Sequence, residues 1–193
     1  MGSSSLKGWI EGIAAAIVAL LLTFISLPIG EYTIALAVIP LVYISLRRGL
    51  VPGLFAGALA GILAYLFTST GDDVASNIVR EFGPLAFIGI SGFFAKFTQR
   101  TLHNKRFSNA ALNITTASFF GAFIYFVWIL IDSVLLNENS IISFLQVDGV
   151  SFLLTFATTA ILLLVLAKAA PNMFVPKDTR FLSRKEKSRL LND

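Results

Sequence analysis

Residues 50–67 read LVPGLFAGALAGILAYLF, without a single charge. The run opens directly after Arg47-Arg48-Gly49 and closes at the polar stretch Thr68-Ser69-Thr70-Gly71-Asp72-Asp73. About 20 apolar residues in a helix cross the hydrocarbon of a bilayer. Backbone in lipid must find its hydrogen-bond partners within the protein, so a spanning segment is a helix or a strand of a closed barrel. A barrel strand alternates apolar and polar residues, and this run does not. It predicts a transmembrane helix.

Five comparable stretches lie around it. The first runs from about Trp9 to Leu27 and stops at Pro28, and the second, roughly Tyr32 to Leu46, ends at Arg47-Arg48. The fourth lies between Glu81 and Lys96, the fifth between Asn113 and Leu136, and the last from Val147 or Asp148 to Ala167, closed by Lys168 and Pro171. The first is longer than a signal peptide's apolar core of about 7–15 residues, and no A-x-A-like cleavage site precedes Pro28, so it reads as an uncleaved helix. The composition agrees: of 193 residues 56% are hydrophobic and 13% charged, against about 25% charged in an ordinary soluble domain. Mean hydropathy is +0.81. A cytoplasmic enzyme, a disulfide scaffold and a disordered chain are excluded. The expected fold is an all-α integral membrane protein: one membrane-embedded domain over residues 1–193, six helices to about 170 and a basic tail at 171–193.

The net charge of +4 and pI near 9.6 invite a nucleic-acid reading, but the placement of the basic residues points to membrane topology. With the amino terminus inside, all of the 15 Lys and Arg except Arg80 fall in inner segments. Cytoplasmic loops carry such an excess, so both termini are expected in the cytoplasm of a multi-pass plasma-membrane protein. The charges between Arg180 and Arg189 either anchor this topology or lie against anionic lipid.

Gly49, Gly53, Gly57 and Gly61 repeat at four-residue spacing, widened by Ala56, Ala60 and Ala64, so they share one face of the third helix. Gly12, Ala15, Ala16 and Ala19 make a similar face on the first. Small residues let helix backbones approach closely in lipid. These faces either seal against each other or dock on another membrane subunit.

Acidic residues gather in the outer segments. Glu31, Asp72, Asp73 and Glu138 read as solvated loop charges. Glu81 heads the expected fourth helix and Asp148 the sixth, where a carboxylate either caps the helix or serves a site. Asp132 lies inside the fifth run, and intramembrane acids usually face a cavity or a partner. Tyr125, Trp128 and Asp132 follow at intervals of three and four, hence on one helix face. That face either holds a flat cationic molecule by stacking and cation–π attraction or marks the headgroup belt. No P-loop occurs. With no Cys and with His103 the one histidine, neither a metal site nor a catalytic triad has material, and neither enzymatic activity nor a cofactor is expected.

The segment Ile39-Pro40-Leu41 to Ser45-Leu46-Arg47-Arg48-Gly49-Leu50, continued by Gly53-Leu54 and Gly61-Ile62-Leu63, resembles the thiamine-specific S components of energy-coupling factor (ECF) transporters. Glu81-Phe82, Pro84-Leu85-Ala86-Phe87, Gly89-Ile90-Ser91-Gly92-Phe93-Phe94 and Val147-Asp148-Gly149-Val150-Ser151 extend the likeness to about Phe174. The resemblance implies a vitamin-binding subunit without ATPase activity that docks on a T component driven by two cytoplasmic ATPases. It implies docking through Ala15 and Ala19. It also implies an outward-facing site between the outer halves of helices four to six. There it matches Glu81-Phe82 to an acid–aromatic pair and Asp148 to a family Asn, while Tyr125, Trp128 and Asp132 join from the reading above. A family Glu falls at Ala35, a Trp at Ala60, and a His expected near Val127 and Trp128 is missing. An S component for another vitamin, or a structural membrane protein without ligand, are the alternatives.

Overall fold

The structure, a computed structural model, describes residues 3–25, 27–68, 74–137 and 140–182. Asp72, Asp73, Glu138 and the charges from Arg184 to Arg189 lie outside the described residues. Six helices follow in order: α1 (Ser3–Thr23), α2 (Val38–Arg48), α3 (Leu50–Thr68), α4 (Val74–His103), α5 (Phe107–Leu136) and α6 (Ile141–Ala169). All except α2 are long and apolar enough to cross a membrane. α2 has 11 residues, about 16 Å at 1.5 Å per residue, which is half of the hydrocarbon thickness of about 30 Å.

The missing length is strand. Sequence pattern extends the first helix to Leu27 and begins the second at Tyr32, but α1 ends at Thr23, and Leu27–Ile29 (β1) pairs antiparallel with Tyr32–Ile34 (β2). Pro28 has no N–H to donate to a helix. Gly30, at φ 64°, supplies the positive φ that the first position of a two-residue hairpin turn demands. The bundle is helical as expected; the connection between α1 and α2 is a hairpin.

Two further boundaries differ, with consequences for the acids. α4 begins at Val74, so Glu81 stands inside it, within a π-helical turn at Ile78–Phe82. α6 begins at Ile141, capped by the Ser140 hydroxyl, which accepts from the Ser143 N–H at 3.1 Å. Asp148 is two turns further on. Neither carboxylate caps a helix.

The packing inverts that of a soluble bundle. Leu6, Ile10, Ile13, Ile17 and Leu21 form an exposed stripe along α1, while Ala16, Ala19, Ala56, Ala60, Ala64, Ala110 and Ala117 are fully buried. Lipid tails are as apolar as leucine, so burying large apolar side chains yields little, whereas small ones permit close backbone contact. Gly12 faces Pro52, Phe55 and Ala56 of α3. Ala19 is fully buried and Ala15 is 9% exposed. The small faces of α1 and α3 thus pack within the bundle.

At the basic end, the start of α1 meets the segment that follows α6. Glu11 accepts from Arg47 at 2.7 Å and from Arg48 at 2.5 Å, and Arg48 reaches Asp178 at 2.9 Å. Arg47 and the Tyr43 hydroxyl also donate to the Met173 carbonyl. The buried Gln99 amide donates to the carbonyls of Leu46 and Arg47, and its oxygen accepts from Thr179 at 2.5 Å. Phe174, Val175, Thr179 and Leu182 are buried. Residues 171–182, expected as the start of a basic tail, thus pack beneath the bundle.

Candidate functional site

Of the expected site residues, Glu81, Tyr125, Trp128 and Asp132 lie on α4 and α5, which pack against each other. Two π-turns meet there, Ile78–Phe82 of α4 and Ile131–Leu136 of α5. Such turns insert an extra residue and re-aim side chains, and they recur at functional sites. Glu81 is half-buried, and its Oε2 accepts from the Thr68 hydroxyl at 2.6 Å. Asp132, in the facing turn, pairs with Arg80 at 3.5 Å. Its Oδ1 is buried without a hydrogen bond among the described residues. The acid expected to await a cationic ligand already has a counter-charge.

Trp128 lies flat on the backbone of α4. A Cβ at Gly83 would overlap the Trp128 ring, so only glycine admits the indole at that depth. Phe87 stacks parallel to it, with ring centroids 5.8 Å apart and planes 6° from parallel. The partly buried indole thus packs against both α4 and Phe87. Tyr125, one turn earlier, is partly buried. It faces a cavity of about 130 Å³ whose walls include Thr23, Thr33, Ala35 and Ile129. Drug-sized ligands occupy roughly 300–1,000 Å³, so a two-ring molecule needs these walls to part.

Phe82 does not join them. Its ring lines a shallow recess with Ile62, Tyr65 and Ile78, on the α3 side of α4. Asp148 is half-buried on α6, one turn before Ser151. The Ser151 hydroxyl accepts the Thr33 N–H at 3.1 Å, and that of Thr155 accepts the Ala35 N–H at 3.0 Å. Asp148 therefore sits on the hairpin face of α6.

Sequence reasoning missed Thr68, Ser151 and Thr155. The signal for the last two was a pair of hydroxyls four residues apart in an apolar run; Thr68 read as the start of a loop.

A family model described as thiamine transporter protein (Thia_YuaJ) matches residues 9–175. The chain is 30% identical over 191 residues to the thiamine transporter ThiT of Lacticaseibacillus paracasei, covering 91% of this chain and 94% of that protein. A solved structure of ThiT from Listeria monocytogenes superposes with a TM-score of 0.82 at 27% identity, covering 89% of this chain and 99% of the other.

Proposed function

The chain belongs to the thiamine transporter protein family, and from that premise we propose where it holds its substrate and how it meets its partners. It is a multi-pass membrane transporter subunit of the S-component type, with thiamine as its substrate, and not an enzyme. The substrate site is the α4–α5 seam together with the Tyr125 cavity. The observation that carries this reading is Glu81: a half-buried carboxylate inside an apolar helix, held by the Thr68 hydroxyl. An organic cation entering the bundle sheds water and needs a fixed acceptor and aromatic faces in return. Glu81 supplies the acceptor and Tyr125 an aromatic wall. Trp128 offers a ring once Phe87, 42% exposed, gives way. Asp148 flanks the hairpin side, and Asp132 orients Arg80. Phe82 contributes by wedging the α4 turn against α3.

The near absence of Lys and Arg from the hairpin end supports an outward-facing site, with both termini in the cytoplasm. A T component driven by two cytoplasmic ATPases completes the transporter. Its docking surface is the groove between α1 and α2, about 630 Å³, where Ala15 lies beside Ala14, Val18 and Tyr43. Ala19, buried beneath it, sets how closely α1 lies on α3.

Calorimetric titration of thiamine into detergent-purified protein tests the site. Glu81→Gln is expected to lower affinity at least tenfold, the loss of one charged hydrogen bond of about 1.5–3 kcal/mol. Trp128→Ala weakens binding as well, and Lys105→Gln, at the opposite end, leaves it unchanged. Parent-like affinity in both site variants removes the seam from the site. Ala35, a cavity wall where the resembling transporters carry Glu, favours one variation: a related heteroaromatic vitamin competing with thiamine in the same titration.

A further inference from the structure

The small-residue face of α3 ends in a hydroxyl, and that hydroxyl grips the carboxylate on which the proposed site depends. Gly57, Gly61, Ala64 and Thr68 recur at four, three and four residues, hence on one face. A Cβ at Gly61 would stand 2.7 Å from the Phe82 carbonyl oxygen, so α3 touches the backbone of the π-turn that carries Glu81. Two helical turns further along the same face, Thr68 Oγ1 is 2.6 Å from Glu81 Oε2 and 2.7 Å from the Ala64 carbonyl. A hydroxyl has one proton. Between the two acceptors the carboxylate is the stronger, because a hydrogen bond to an ionised group is roughly twice as strong as a neutral one. The backbone of the turn is thus pressed on Gly61, and the end of its side chain is tied at Thr68.

We propose that Thr68 is a positioning residue of the substrate site: its hydroxyl presets the Glu81 carboxylate, so that an amine-bearing or cationic substrate meets an acceptor already oriented. The proposal rests on the reading of Glu81 as a substrate contact. A flexible glutamate ordered only on binding pays its rotamer entropy from the binding energy, and a pre-ordered one does not. The glycine face has a role in this arrangement beyond sealing helices, since it brings the tethering hydroxyl within reach of α4.

The test is a double-mutant cycle on the full chain in detergent, with thiamine as the probe. Thr68→Val removes the hydroxyl, Thr68→Ser retains it, and each is made with Glu81 and with Glu81→Gln. The expected result is an affinity fall of about tenfold for Thr68→Val, as for the loss of one hydrogen bond to a charge, and recovery to within about twofold for Thr68→Ser. In the Glu81→Gln background Thr68→Val adds little, because coupled residues do not act additively. If Thr68→Val binds like the parent while Glu81→Gln does not, the positioning role is wrong and the Glu81 site stands. An equal fall in both backgrounds also overturns it, since Thr68 then acts on helix packing and not through Glu81. If neither substitution matters, the Glu81 reading falls and takes this proposal with it. Should Thr68→Val fail to fold, Thr68→Ala enters the same cycle with the same criteria.

Discussion

At the scale of single residues, the contact between Gly83 and Trp128 has the least tolerance. The indole rests where a Cβ would be, with Phe87 stacked parallel beside it. Gly83→Ala must displace the ring or the helix, and overpacking of this kind typically costs about 1–3 kcal/mol. In a Trp9→Phe background, which leaves Trp128 as the one tryptophan, Gly83→Ala is expected to shift the emission of Trp128 and to weaken thiamine quenching. An unchanged spectrum refutes the contact. This residue scale also marks how far sequence alone reaches into the site. Trp128 and Asp132 were legible because acids and indoles inside apolar runs are rare, and Glu81 through the resemblance carried by Glu81-Phe82. Their partners were not: Arg80 reads as a lone outer charge and Thr68 as a loop residue, and nothing in the run marks Gly83, until folding places them opposite. The contact between Thr68 and Glu81 joins residues 13 positions apart on different helices, so no local pattern encodes it.

At the scale of elements, the apolar runs located the helices because length and hydropathy are what a bilayer selects. They failed at the hairpin, since Leu27–Ile34 is short and mostly apolar, and periodicity cannot separate a short apolar strand from a helix end. Helix starts were misplaced wherever polar residues lie inside the helix, as Ser76 and Asn77 do in α4. The hairpin is pinned to α6 by two long-range bonds, Thr33 N–H to Ser151 and Ala35 N–H to Thr155. Substituting both hydroxyls, Ser151→Ala with Thr155→Val, is expected to raise amide exchange across residues 27–36 while leaving α3 and α5 protected. Uniform protection in the double variant rules out these bonds as the tether. Because Thr33 and Ala35 also wall the Tyr125 cavity, the same variant should release thiamine faster than the parent.

At the scale of the whole molecule, charge is segregated between the two ends. A single cysteine replacing Glu31, in the exposed hairpin turn, should react with an impermeant thiol reagent on intact cells, whereas one replacing Lys105 should not; the opposite pattern reverses the proposed orientation. At the basic end, Glu11, Arg47, Arg48 and Asp178 join the first helix, the α2–α3 corner and the segment after α6. Arg48 is only 8% exposed and Glu11 32%, between the surface pairs worth about 0–1 kcal/mol and the buried ones whose breakage costs about 3–5 kcal/mol. Glu11→Ala is expected to destabilise by roughly 2 kcal/mol on those bounds, read as a lower unfolding midpoint in detergent. An unaltered midpoint assigns the network no part in stability. The same four charges give the polypeptide a clasp: its first helix and the segment after its sixth are buckled together on one side, like a strap closed on itself. A mechanical pull applied at Glu11 and Asp178 would load that buckle first, and would part it before drawing the rest of α1 away from α6.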